Sequence, residues 1–216
     1  MTRAWLLLLG ALATLGFAVT VLIVLPRVVL THVGAPAALA PYTALQARGR
    51  GVYRANGCVY CHSQQVRDPA FTTDIDRGWG PRATVPADYV YDRPHLLGTM
   101  RTGPDLINVG QRLPDPNWQL IHLYNPRAVT PWSIMPAFPF LFAVKPRAAV
   151  RPGERVVPVT GRYAPPPGSV VVAGPDALAL VEYLLSLKRG YPVPASAAAT
   201  DQALSGATGR GVHTMP

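Results

Sequence analysis

A run of 22 residues without a single charge, Ala4 to Leu25 (AWLLLLGALATLGFAVTVLIVL), constrains this chain more than any other feature. At ~1.5 Å per residue a helix of that length is ~33 Å long, enough to cross a hydrocarbon core of ~30 Å. Trp5 stands near one end of the run, where an interfacial aromatic belongs, and Pro26 and Arg27 close it. A cleaved signal peptide has an apolar region of only ~7–15 residues. The one A-x-A-like site, Ala38-Leu39-Ala40, is followed by Pro41, which disfavours cleavage. The run therefore predicts an uncleaved anchor over residues 1–27, followed by a linker over 28–41. Arg3 and Arg27 place one charge on each side, so charge bias alone does not orient the span.

The 216 residues leave room for one further domain of ordinary size. The whole chain carries 24 Pro and 19 Gly, which excludes a long helical bundle and predicts loops and turns. A helical pattern covers 43–57 and stops at Gly57; a second, 116–124, starts with Pro and ends before Asn125-Pro126. A third amphipathic helix spans Asp176 to Lys188. Residues 63–101 lack periodicity and read as a long loop. Residues 154–160 and 169–173, joined by GRYAPPPG, suggest a β-hairpin within an insert over 143–175. The Ala-, Pro-, Ser-, Gly- and Thr-rich stretch 191–216 reads as a disordered tail. The net charge of +9 raises the question of nucleic acid, but it is spread as +2, +3 and +4 over residues 1–40, 41–142 and 143–216, without a basic run. This is a solvated basic surface, and no nucleic-acid partner is expected.

Both cysteines fall in Cys58-Val59-Tyr60-Cys61-His62, the C-x-x-C-H signature of covalent c-type haem attachment. Two thiols one helical turn apart can form thioethers to the two haem vinyl groups, and the adjacent His62 then lies under the iron. A thioredoxin-like site lacks its strand–helix context, and half a zinc site lacks a second pair of ligands at suitable spacing. A proximal histidine needs an acceptor on its other ring nitrogen, which the Pro104 carbonyl in Thr102-Gly103-Pro104-Asp105-Leu106 can supply. Of the four methionines, Met135 in a Pro-bounded loop is the favoured sixth ligand, with His95 and His122 as the open alternatives. Gly51 and Tyr53 of the helix before the motif are expected to cross Tyr183 and Leu184 of the final helix, as in a class I cytochrome c.

Three longer stretches carry a resemblance. PYTALQARGRGVYRANGCVYCHSQQVR, YDRPHLLGTMRTGPDLINVG and HLYNPRAVTPWSIMPAFPFL, with the anchor, resemble subunit II of the cbb3-type cytochrome c oxidases, the membrane-anchored monohaem cytochrome. The resemblance covers Pro41 to about Leu141. It implies a mainly α fold: one transmembrane helix plus a class I cytochrome c-like domain over 42–190, with long loops. It implies one covalent haem c on Cys58 and Cys61, with His62 and Met135 on the iron. It also implies a bacterial inner-membrane protein with a cytoplasmic N-terminus and a periplasmic haem domain. Its role would be that of a non-catalytic electron-transfer subunit of an oxidase complex. Electrons would come from another c-type cytochrome and pass to haem b of a catalytic subunit with a haem–copper centre. The cytochrome c subunit of a nitric oxide reductase and a stand-alone tethered carrier are the alternative readings. Arg67, Arg101 and Arg127 lie within these stretches and are candidates to pair with a haem propionate.

Overall fold

A computed structural model of the chain describes residues 3–193, so the tail expected over 191–216 lies outside the described residues beyond Val193. The chain divides into two units. One comprises residues 1–37, 85–90 and 193–216; the other comprises 38–84 and 91–192.

The first unit is dominated by α1, Ala4–Thr31, a single helix of 28 residues with none of its most apolar stretch buried. It fits a transmembrane span by length and composition. It continues past the expected end at Pro26-Arg27, and the reason is local. Residues Thr20–Val24 form a turn of π-helix, and the Leu25 amide bonds back to the Thr20 carbonyl. This wider turn precedes Pro26, which then sits in the first turn of Leu25–Thr31, where its missing N–H leaves no i→i−4 bond of that segment broken.

In the second unit, α2 (Ala44–Ala55) starts at a capping box. Thr43 Oγ1 accepts from the Gln46 amide at 3.2 Å, and Gln46 Oε1 accepts from the Thr43 amide at 3.0 Å. A short α3 (Val109–Arg112) and α4 (Pro116–Tyr124) follow, the latter with Pro116 in its first turn and the Asp115 side chain accepting from the Asn117 amide. The final helix, α5 (Pro175–Ser186), packs across α2.

A crossing of these two helices exists, but the glycine at the contact is Gly49, not Gly51. A Cβ on Gly49 would fall 1.8 Å from the Ala179 carbonyl oxygen, whereas Gly51 has open space around it. The helical period decides this: Gly49 and Tyr53, four residues apart, share the buried face, while Gly51 lies off it and is exposed. Tyr53 and Tyr183 meet edge to face with ring centroids 5.7 Å apart, both almost fully buried. Leu120, Leu123, Leu180 and Leu187 complete the same core.

The region 142–173 is a three-stranded antiparallel sheet rather than a hairpin alone. The order is β1 (Phe142–Pro146), β3 (Ser169–Ala173), β2 (Val156–Val157), with Phe142 opposite Ala173 and Val156 opposite Val172. β2 is only two residues long because Pro158 has no amide to continue the ladder. Val170–Ala173, in the central strand, are buried.

Gly49→Ala is expected to lose about 1–3 kcal/mol of stability through overpacking, read as a lowered thermal midpoint in detergent. Gly51→Ala should stay within about 1 kcal/mol of the parent, on the stabilising side.

Candidate functional site

Gly57 adopts φ +69° directly after α2, a left-handed conformation that suits glycine and turns the chain into a 3-10 turn at Cys58–Tyr60. The Cys61 and His62 amides both bond to the Cys58 carbonyl, at 3.2 and 2.9 Å. This single turn delivers Cys58, Cys61 and His62 to the wall of one cavity of ≈ 520 Å³. Met135 lines the same cavity, as do Leu106, Val109, Leu123, Phe138 and Leu184. Its size is that of a site for a small molecule or cofactor. Both thiols are free, Cys58 half-buried and Cys61 exposed, and burial pushes the Cys58 thiol up to about 11.

The imidazole of His62 is fixed from behind. Its Nδ1 lies 2.7 Å from the Pro104 carbonyl oxygen. A carbonyl only accepts, so Nδ1 donates and Nε2 is the basic nitrogen. Burial lowers the pKa of the ring, against the raising effect of that carbonyl, and so favours the neutral form. Gly103 passes so close that a Cβ there would lie 2.3 Å from His62 Cε1.

The turn carrying Pro104 is stitched to the motif segment. The Gly103 amide bonds to the Cys61 carbonyl and the Leu106 amide to the Ser63 carbonyl, each at 2.9 Å. The fully buried Asp105 accepts from Ser63 Oγ (2.6 Å), the Gln65 amide (2.7 Å) and the Ile107 amide (2.9 Å). Burial raises its pKa, with Ser63 and these two amides pulling the other way. Arg101 adds a brace. It donates to Ser63 Oγ and the Gln65 carbonyl, pairs with Asp74, and lies over the Trp79 ring. Burial alone would raise the Asp74 pKa, but the bond from Arg101 and that from the Arg67 amide hold it below its ordinary value.

Met135 sits in a loop pinned at both ends. Arg127 Nη1 donates to the Ser133 carbonyl (3.1 Å) and the Met135 carbonyl (3.2 Å), and the Phe138 amide donates to the Leu123 carbonyl (3.0 Å). Trp132 and Ile134 on the same loop are exposed while also lining the cavity.

All five expected site residues, Cys58, Cys61, His62, Pro104 and Met135, thus line one cavity. Of the two alternative sixth ligands, His122 lines it and His95 does not. The His122 ring stacks on Trp118, its Nδ1 has no hydrogen-bond partner, and burial, with His62 second, lowers its pKa to about 4. None of Arg67, Arg101 and Arg127 lines the cavity; Arg112, which the sequence did not single out, does. The residues present fit a haem: an apolar slot, a basic imidazole nitrogen, a thioether and two free thiols at its wall, with the Gly103 approach leaving the imidazole its space.

Residues 2–154 match the family model described as cytochrome C oxidase, mono-heme subunit/FixO. The match takes in α1, the whole motif region, the Met135 loop and β1. No curated protein matches the chain.

Gly103→Ala should displace the His62 ring and lower the haem content of the purified protein, read by absorbance against protein mass. Asp74 contributes stability that is fully present above the unfolded carboxyl value of ~3.9 and is lost as pH falls through its depressed folded value. Thermal midpoints between pH 6 and pH 3 should therefore show the gap between the parent and Asp74→Asn narrowing on the acid side.

Proposed function

The chain belongs to the mono-haem subunit family of cytochrome c oxidases, subunit II of the cbb3 type, and from that premise we propose that it is the electron-transfer subunit of a membrane haem–copper oxidase. It takes single electrons from a c-type cytochrome donor and delivers them to haem b of the catalytic subunit. It performs no oxygen chemistry itself. Residues 1–27 anchor it in the bacterial inner membrane with the N-terminus in the cytoplasm. Residues 28–41 form a linker. Residues 42–190 form a class I cytochrome c-like domain on the periplasmic side, with 143–175 as an insert. The observation that carries this reading is the convergence of Cys58, Cys61, His62 and Met135 on one apolar cavity.

In this reading Cys58 and Cys61 would hold the haem through thioethers, and His62 Nε2 and Met135 Sδ would be the groups that ligate its iron. When bound, the haem supplies a one-electron Fe(III)/Fe(II) couple. The protein's part is to position and insulate. The Pro104 carbonyl keeps the proton on Nδ1 and orients the ring, an arrangement that raises ligand basicity. Asp105 and Ser63 hold Pro104 in place. Leu106, Val109, Leu123, Phe138, Leu180 and Leu184 exclude water from the slot. A thioether ligand from Met135 would favour the reduced state relative to a second imidazole.

The test is native purification in mild detergent through a tag on this chain, followed by a pyridine haemochrome spectrum. Haem c together with haem b is the expected result. Haem c alone favours a tethered carrier, and no haem c overturns the assignment of Cys58 and Cys61. Met135→Ala is expected to turn a low-spin spectrum high-spin and to let the reduced protein bind carbon monoxide. An unchanged low-spin spectrum would move the sixth ligand away from Met135, with His122 the next candidate.

A further inference from the structure

The segment that builds the sheet is strongly basic. Over residues 143–175, Lys145, Arg147, Arg151, Arg155 and Arg162 stand against one acidic residue, Glu154. Tight turns gather the first of these into one corner beyond β1. The Val150 amide bonds to the Arg147 carbonyl and the Glu154 amide to the Arg151 carbonyl, each at 3.2 Å. The Glu154 carboxylate is taken up by Lys145 Nζ and by the Arg151 amide (2.7 Å), and Arg155 donates to Asn117 Oδ1 (2.6 Å). The side chains of Arg147 and Arg151 are exposed and donate to no acceptor among the described residues. The arginines of α2 behave differently: Arg48 and Arg50 are paired with Asp176 and Asp92.

This corner adjoins the rim of the cavity. Phe138, which lines the cavity, meets the exposed Phe140 edge to face, with ring centroids 5.8 Å apart. β1 begins two residues later. Seven residues separate Phe140 from Arg147, at most about 24 Å of chain. On the other side of the sheet, the turn Gly161–Tyr163 packs against Pro126–Ala128, the turn that carries Arg127. An interface of the electron-transfer class covers about 600 Å² on each partner, a disc roughly 28 Å across, and so takes in both the rim and the corner.

We propose that this basic corner is the docking surface for the electron-donating c-type cytochrome, a partner with an acidic contact face, and that the exposed Trp132 and Phe140 form the apolar part of the contact. This rests on the reading of the chain as an electron-transfer subunit. One electron leaves the donor, which is oxidised, and enters the haem of this chain, which is reduced; no bond forms or breaks and no proton moves. A donor must arrive and leave at every turnover. Opposite charge speeds the encounter without requiring tight binding, and guanidinium groups that the fold does not use are free to supply it. A permanent subunit contact calls for a larger and more apolar surface than the exposed Ala143 and Val144 of β1 offer.

The test uses the full chain with its haem, in the complex purified in neutral detergent, with an acidic soluble c-type cytochrome as probe and a basic one in parallel. Binding is read by surface plasmon resonance and electron transfer by stopped-flow absorbance. The ionic strength runs from about 0.01 to about 1 M, over which the Debye length falls from about 30 to about 3 Å. The acidic probe is expected to bind more tightly and react faster at low salt, and to lose that advantage at high salt. In Arg147→Glu/Arg151→Glu its rate should fall on the order of tenfold at low salt and meet the parent at high salt, with the haem spectrum unchanged. If the double variant does not fold, the salt dependence of the parent decides. Binding and rate indifferent to salt, or unchanged in the variant, overturn the proposal. Loss of haem b from the variant complex overturns it in favour of the catalytic subunit as occupant. An effect seen only in nanodiscs of anionic lipid overturns it in favour of lipid head groups. Failure of the parent haem to accept an electron from ascorbate with a phenylenediamine mediator would instead overturn the electron-transfer reading itself.

Discussion

The hydrogen bond from His62 Nδ1 to the Pro104 carbonyl, 2.7 Å long, fixes both the tautomer and the plane of the one imidazole that follows the two cysteines. Much of the second unit is arranged around keeping that carbonyl still. Asp105, next in sequence, is buried and takes three donors, two from Ser63 and Gln65 on the motif side and one from the Ile107 amide of its own turn. Ser63, one of those donors, also receives Arg101, which in turn holds Asp74. A chain of charges and hydroxyls thus runs from the loop over 63–101 to the ring. This explains why so long a loop can be ordered with hardly any regular secondary structure: its polar groups find partners inside the fold rather than in helices or strands.

Legibility in the sequence followed the range of the physics. The two cysteines and the histidine are joined by one turn of chain, so their meeting is a local event and could be read from five letters. Gly57 announced the end of α2, and Pro116 the start of α4, because such signals are local too. The Gly49 contact was misplaced onto Gly51 because an apolar stripe does not say which of two nearby glycines faces a partner helix. β1 went unread because Phe142–Pro146 is largely exposed and finds its partner about thirty residues away in β3. Pro26 looked like a stop, yet a turn of π-helix carried α1 through it. Arg112 was not legible because its place on the cavity wall is set by the packing of α3 against Leu185 and Leu187.

The two sides of the cavity are held by unlike means. The His62 side is stitched by short backbone bonds between Cys61–Ser63 and Gly103–Leu106. The Met135 side is held by one guanidinium, Arg127, by the amide of Phe138, and by turn bonds within the loop such as Met135 N–H to Ser133 Oγ. The first arrangement fixes an angle. The second fixes a distance, because it anchors a flexible thioether side chain by its backbone alone.

That clasp bears on speed rather than on affinity. A redox centre exchanges electrons fastest when its surroundings need little rearrangement as the charge changes, since preorganised groups need not reorient during the event. With the Ser133 and Met135 carbonyls tied to Arg127, and Phe138 tied to Leu123, the loop has little freedom to follow the charge back and forth. In the proposed electron-transfer role, this clasp of one arginine on two carbonyls would limit the reorganisation energy of the centre.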